Sequence, residues 1–203
     1  HFPIIEAAVQ REGYHIEIIP PIHEDIDKGL SCVNNDACYP AIITIGSLMR
    51  ALTSGKYDLS KTAVMLSQTG GMCRASNYVG FLHKALDEAG LSDIPVISLN
   101  THGFEPQPGF HFSLSMGRRM IQAVIYGDAL QQCLYRTRPY EKEPGSAETL
   151  CRSWQKRCIE AILSGESYTS YKKNIAGIIQ DFDRLPLSDM PRRPRIGIVG
   201  EIY

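Results

Sequence analysis

The apolar period of this chain changes repeatedly between residues 37 and 99, and that alternation restricts it to a small group of folds. Over residues 37–52 apolar side chains recur at helical spacing. Pro40 sits in the first turn, where its missing N–H is tolerated, and Gly55 supplies a stop. Residues 62–66 form a short apolar run of the buried-strand kind, followed by the pair Gly70-Gly71. A second helical segment over 74–89 closes at Gly90, and residues 95–99 read as another strand. Upstream, 4–11 has helical spacing with Gly13 as its cap. Residues 14–19 alternate and are β-branched, which predicts a strand ended by Pro20-Pro21. Residues 25–35 read as a short helix or a loop. The order helix–strand–helix–strand–helix–strand predicts an α/β fold, a Rossmann-like parallel sheet with helical crossovers.

Beyond a Gly/Pro-rich loop over 101–109 the chain becomes helix-rich. Helices are predicted over 112–134, 146–164 and 168–181, with 135–145 as a connector. A basic, proline-containing linker at 191–194 leads to a last strand over 195–202. No repeat or compositional break divides the chain, so 1–203 reads as a single domain. It opens at His1 inside a helical pattern and stops just after a strand. The expectation is a piece of a longer polypeptide.

Composition narrows the function classes. The chain is 43% hydrophobic and 21% charged, which excludes a disordered or low-complexity chain. No apolar run reaches the length of a membrane span. A formal charge of −1 gives no electrostatic case for nucleic acid or a membrane surface. Six irregularly spaced cysteines beside a large aliphatic complement predict reduced thiols and a cytoplasmic protein. Neither G-x-G-x-x-G nor G-x-x-x-x-G-K-[ST] occurs, and no G-x-S-x-G elbow occurs, so ATP has no motif here. His15, His23, His83, His102 and His111 lack metal spacing; His102, after the 95–99 strand, is the one placed near a sheet edge. Arg118-Arg119 and the basic run 192–195 read as solvated faces.

In an open α/β sheet, ligands bind beyond the carboxyl ends of the strands. The 62–66 strand feeds Ser67-Gln68-Thr69-Gly70-Gly71-Met72-Cys73-Arg74 to that edge. Paired glycines allow a tight turn and close ligand approach, and a helix start favours negative charge. Cys73 there is either a ligand thiolate or a small residue in a βα turn. Asn34-Asn35-Asp36-Ala37-Cys38-Tyr39-Pro40 opens a helix in the same way and brings Cys38 to its first turn. Two thiols at two helix starts suit an anionic iron–sulfur cluster, although the spacing alone equally allows two buried free thiols. Cys32 is near enough to reach the same turn. Cys133, Cys151 and Cys158 read as helix-face thiols.

Five segments together resemble one known family: 34–41 (NNDACYPA), 68–78 (QTGGMCRASNY), 126–128 (YGD), 135–141 (YRTRPYE) and 194–202 (PRIGIVGEI). They are similar to the large activase-fused proteins related to 2-hydroxyacyl-CoA (2-hydroxyglutaryl-CoA) dehydratase. The resemblance implies a longer parent with activase-like ATPase domains, which would be the part that binds ATP, and a second dehydratase-like half. It also implies a [4Fe–4S] cluster, ATP-driven injection of a low-potential electron, and an acyl-CoA substrate. Carried over, Cys38 and Cys73 become the metal ligands. Gln68, Thr69, Gly70, Gly71 and Asn77 become the residues around the cofactor. A third ligand would be Cys158, Cys32 or a residue outside this chain. Cys32 departs from the family pattern, which has an aromatic residue there. On this view the chain is a cluster-binding electron-transfer domain without turnover of its own. The alternative is a non-catalytic domain that docks neighbouring activase domains. A third possibility is a small-molecule site that holds a phosphate or carboxylate at the glycine turn.

Overall fold

The computed structural model describes residues 1–34, 37–67, 74–100, 103–104, 109–194 and 197. Its elements are α1 (Phe2–Gln10), α2 (Glu24–Leu30), α3 (Tyr39–Thr53), β1 (Val64–Ser67), α4 (Tyr78–Glu88), β2 (Val96–Asn100), β3 (Gly103–Phe104), α5 (Leu114–Thr137), α6 (Ser146–Ser164) and α7 (Tyr168–Asp183). It is a helix-rich α/β chain with a small sheet. Expected as one domain, it separates into two compact units. One comprises His1–Ile18 and the helical part from Phe112 onward; the other is Ile19–His111.

The helical unit is built by α1, α5, α6 and α7, which pack on one another. Their inward faces carry Ile4, Ala8, Ala123, Tyr126, Leu130, Trp154, Ile162, Ile178 and Phe182, all buried. Each long helix is started by a specific donor–acceptor pair. Ser113 Oγ accepts from Met116 N at 2.9 Å, and Ser167 Oγ accepts from Ser170 N at 3.1 Å. For α6 the Glu141 carboxylate takes the N–H groups of Gly145 and Ala147 at 2.7 and 2.8 Å, which holds its pKa below the usual carboxylate value. Gly165, at φ 75, ends α6 in the left-handed conformation that glycine adopts without strain.

Several polar side chains inside this unit satisfy one another. The Tyr126 hydroxyl donates to Glu166 Oε1 at 2.7 Å, and Asn174 Nδ2 reaches both Glu166 Oε2 at 3.0 Å and the Tyr126 oxygen at 3.1 Å. Burial raises the Glu166 pKa against the pull of these donors. Trp154 Nε1 donates to Asp181 Oδ2 at 3.0 Å, tying α6 to α7.

In the second unit β1 and β2 pair in parallel with Val64 opposite Val96 and Leu66 opposite Ser98, and β3 adds an antiparallel edge. Helix α4 connects the two parallel strands and contacts both. Val64, Leu66 and Val96 share a core with Ile42, Ile45 and Met49 of α3 and Leu82 and Leu86 of α4. Against α3 lies α2, at backbone contact. A Cβ on Gly29 would strike the Ile42 carbonyl, and one on Gly46 would strike the carbonyl of Asp25. Asp25 is fully buried, its carboxylate accepting from Arg50 Nε at 2.5 Å and from Ile22 N at 2.8 Å.

One sequence expectation requires correction here. Residues 14–19 form no strand. The exposure does alternate, with His15 and Glu17 out and Ile16 and Ile18 half-buried. A strand, however, needs a neighbouring backbone along its length, and a local pattern cannot provide that second edge. The polar stretch over 25–35 resolves into α2 over Glu24–Leu30, with Glu24, Asp25 and Asp27 in its first turn, where the helix dipole favours them. The predicted final strand, 195–202, lies outside the described residues apart from Gly197.

Candidate functional site

Cys38 is the N-cap residue of α3, with extended backbone (φ −63, ψ 148). Its carbonyl already accepts from Ala41 N at 2.9 Å and Ile42 N at 3.2 Å, so the chain enters the helix at this residue. Pro40 follows in the first turn, and Ala37 N donates back to Asn34 O at 2.9 Å, closing the preceding turn. The thiol is half-buried, unbridged, and 4.0 Å from the Tyr78 hydroxyl.

Tyr78 is the first residue of α4. That contact brings the beginnings of α3 and α4 together, and α4 is the helix that the Gly70-Gly71-Met72-Cys73-Arg74 segment leads into. A 3-10 turn, Arg74–Asn77, precedes it. Asn77 is exposed, and its side chain does not cap α4. Its Oδ1 instead lies over Gly80, 2.5 Å from where a Cβ would stand. Gln68, Thr69, Gly70, Gly71 and Cys73, and with them His102, lie outside the described residues.

Ser98, the middle residue of β2, is 2% exposed, and its hydroxyl has no hydrogen-bond partner among the described residues. Its register opposite Leu66 puts it on the same sheet face as Val64, Leu66 and Val96. Cys38, Tyr78 and Cys32 border the core that this face builds. The sequence marks Ser98 only as a hydroxyl among the aliphatic residues Val96, Ile97 and Leu99.

The other cysteines have different surroundings. Cys32 is half-buried just beyond α2, with its sulfur 3.7 Å from Ser31 Oγ. Cys133 and Cys151, half-buried against the helical unit's core, have thiol pKa values raised chiefly by burial. Cys158 is fully buried there, and desolvation followed by the Glu166 charge pushes its thiol up to about 12. A thiol so placed is enclosed by the core of its own unit. Among the described residues no group of three or more His, Cys, Asp or Glu side chains is placed to hold a metal ion. Arg119 pairs with Glu12, and Arg118 stands 6.0 Å from the Tyr168 ring centroid. No described helix is long and apolar enough to cross a membrane.

Comparison with models of protein families, with curated proteins and with solved structures finds no match to this chain.

Proposed function

We propose that this chain is an iron–sulfur cluster-binding domain of a 2-hydroxyacyl-CoA dehydratase-like, ATP-driven electron-transfer protein. Its Ile19–His111 unit would be the Rossmann-like part, with β1, α4 and β2 as one parallel βαβ element. One observation carries the reading: the Cys38 sulfur sits at the start of α3 and lies 4.0 Å from the hydroxyl of Tyr78, the first residue of α4, which in the sequence comes five residues after Cys73.

The residues at hand are chemically suited to such a group. Cys38 is unbridged and half-buried at the cap of α3. The N-terminal dipole of the 15-residue α3 offsets negative charge at its cap. Cys38 and Cys73 would hold the cluster, with Cys32, the other described thiol of the unit, as a candidate to complete the set. When bound, such a cluster accepts and passes on single electrons at low potential. The role of this chain is to hold the cluster in a part-dry setting and to present donors to its sulfurs. ATP hydrolysis belongs to the activase-like domains of the parent, and the acyl-CoA substrate to the assembled protein.

Anaerobic reconstitution with iron and sulfide tests this. The wild-type chain is expected to bind both and to develop the broad visible absorbance of a cluster. Cys38→Ser combined with Cys73→Ser is expected to lose it. Absorbance that survives the double replacement removes these ligands from the reading. A wild-type chain that takes up no iron removes the cluster and leaves the docking domain as the better account.

A further inference from the structure

We infer that the exposed face of α5 is a self-complementary interface, through which two copies of this chain pair with their α5 helices antiparallel. Nothing in this depends on a bound cluster. Leu114, Arg118, Ile121, Ile125, Asp128 and Gln132 follow one another at steps of four, three, four, three and four residues. At 100° per residue they share an arc of about 80°, and the spacing is that of a coiled-coil seam. All six are exposed, although α1, α6 and α7 already pack on the rest of this helix. Leu114 is 91% exposed, Ile121 63% and Ile125 43%, with Val124 exposed beside them. Aliphatic side chains gathered on the outer face of a surface helix reverse the usual pattern, and such patches mark interaction sites.

The order of residues along the seam identifies the occupant. With a two-fold axis level with Ala123, Ile121 of one copy lies beside Ile125 of the other, and the contact occurs twice. The same register sets Arg118 opposite Asp128 at both ends and Leu114 opposite Gln132, because all three pairs have Ala123 as their midpoint. A parallel pair would instead set Arg118 against Arg118 and Asp128 against Asp128, where like charges repel. Antiparallel helices also bring opposite dipole ends together. Both charges are at the surface. Arg118 is exposed and stands 6.0 Å from the Tyr168 ring centroid, and the Asp128 side chain is 60% exposed while Oδ1 bonds His1 Nε2 at 2.7 Å. Exposed ion pairs add little affinity but fix register and orientation, whereas the aliphatic centre supplies the attraction. One helix per copy makes a small interface, so the pairing is weak, with a dissociation constant on the order of 10 μM.

Sedimentation equilibrium of the whole metal-free chain, from about 1 to 100 μM, tests this. The wild-type chain is expected to pass from monomer to dimer across that range. Ile121→Glu is expected to weaken pairing about tenfold or more and to leave the melting temperature of the monomer unchanged, because the side chain is exposed. Arg118→Glu and Asp128→Lys are each expected to weaken pairing several-fold. Combined in one chain they are expected to restore it, since the reversed charges again face opposites. A chain that stays monomeric throughout overturns the inference, and co-sedimentation of that monomer with phosphatidylglycerol vesicles would assign the face to a membrane instead. A dimer that Ile121→Glu leaves intact overturns it as well, because the copies then meet elsewhere. A dimer indifferent to both single charge reversals overturns the antiparallel register, and these variants decide the matter should Ile121→Glu melt lower. None of these outcomes bears on the cluster reading.

Discussion

The two units use cysteine in opposite ways. In the helical unit Cys133, Cys151 and Cys158 lie within helices, against aliphatic and aromatic side chains, and burial raises all three thiol pKa values. In the Ile19–His111 unit the two described cysteines stand where helices end or begin, Cys32 just after α2 and Cys38 at the cap of α3. Buried polar groups do not separate the two units, since each has one atom without a partner among the described residues. Tyr126, Glu166 and Asn174 close a hydrogen-bonded triangle, and Trp154 finds Asp181, while Gln122 Nε2 has no partner among the described residues. In the second unit Asp25 is paired with Arg50, while Ser98 Oγ has no partner among the described residues. A thiol on a helix face is filler, equivalent to a small hydrophobe. A thiol at a helix start has space, a dipole and backbone donors around it, which are the conditions for binding chemistry.

Thiol labelling is the sharpest way to break that contrast. With a pKa of about 12, only about one Cys158 in ten thousand is thiolate at pH 8. Alkylation of the native chain, read by peptide mass spectrometry, is expected to modify Cys38 at least a hundredfold (order of magnitude) faster than Cys158. Comparable rates would show that the two thiols do not differ in the way their surroundings imply.

Close packing offers a second comparison. Gly46 faces a backbone carbonyl that cannot move without displacing α2, whereas a Cβ on Gly177 would meet the Trp154 ring at 2.7 Å. Gly46→Ala is expected to cost about 3 kcal/mol or more, read as lost hydrogen-exchange protection in α2 and α3. Gly177→Ala should cost about 1 kcal/mol, because a side chain can yield where a backbone cannot. Equal losses would mean that the α2–α3 contact is softer than its geometry.

The smallest effect is electrostatic. Burial raises the Glu166 pKa above the ordinary 4.5, so in that range the folded chain holds its proton more tightly than the unfolded chain does. The stability this contributes is fully present below the unfolded value and is lost as pH rises through the folded one. The urea midpoint is expected to fall slightly as pH climbs above 4.5, and Glu166→Gln should flatten that slope. A midpoint rising over the same range through this residue would reverse the assigned cause.

Much of the architecture was legible before any coordinates. The predicted helix over 146–164 coincides with α6, and the 37–52, 62–66, 74–89 and 95–99 segments correspond to α3, β1, the turn with α4, and β2. These succeed because period, caps and glycine stops are local properties that act within a few residues. Cys38 at a helix start was legible for the same reason. The partner of its sulfur was not, because Tyr78 arrives from forty residues away.

Local sequence therefore determined where helices and strands begin and end, and which cysteine opens a helix. Long-range packing decided the rest: that residues 14–19 gain no ladder, that the chain collects into two compact units, that Cys158 is enclosed while Cys38 keeps access, and that Ser98 is buried without a described partner. Periodicity is an interaction of a segment with itself, but burial and pairing are interactions between segments. Their outcome depends on which distant surfaces win the competition for contact.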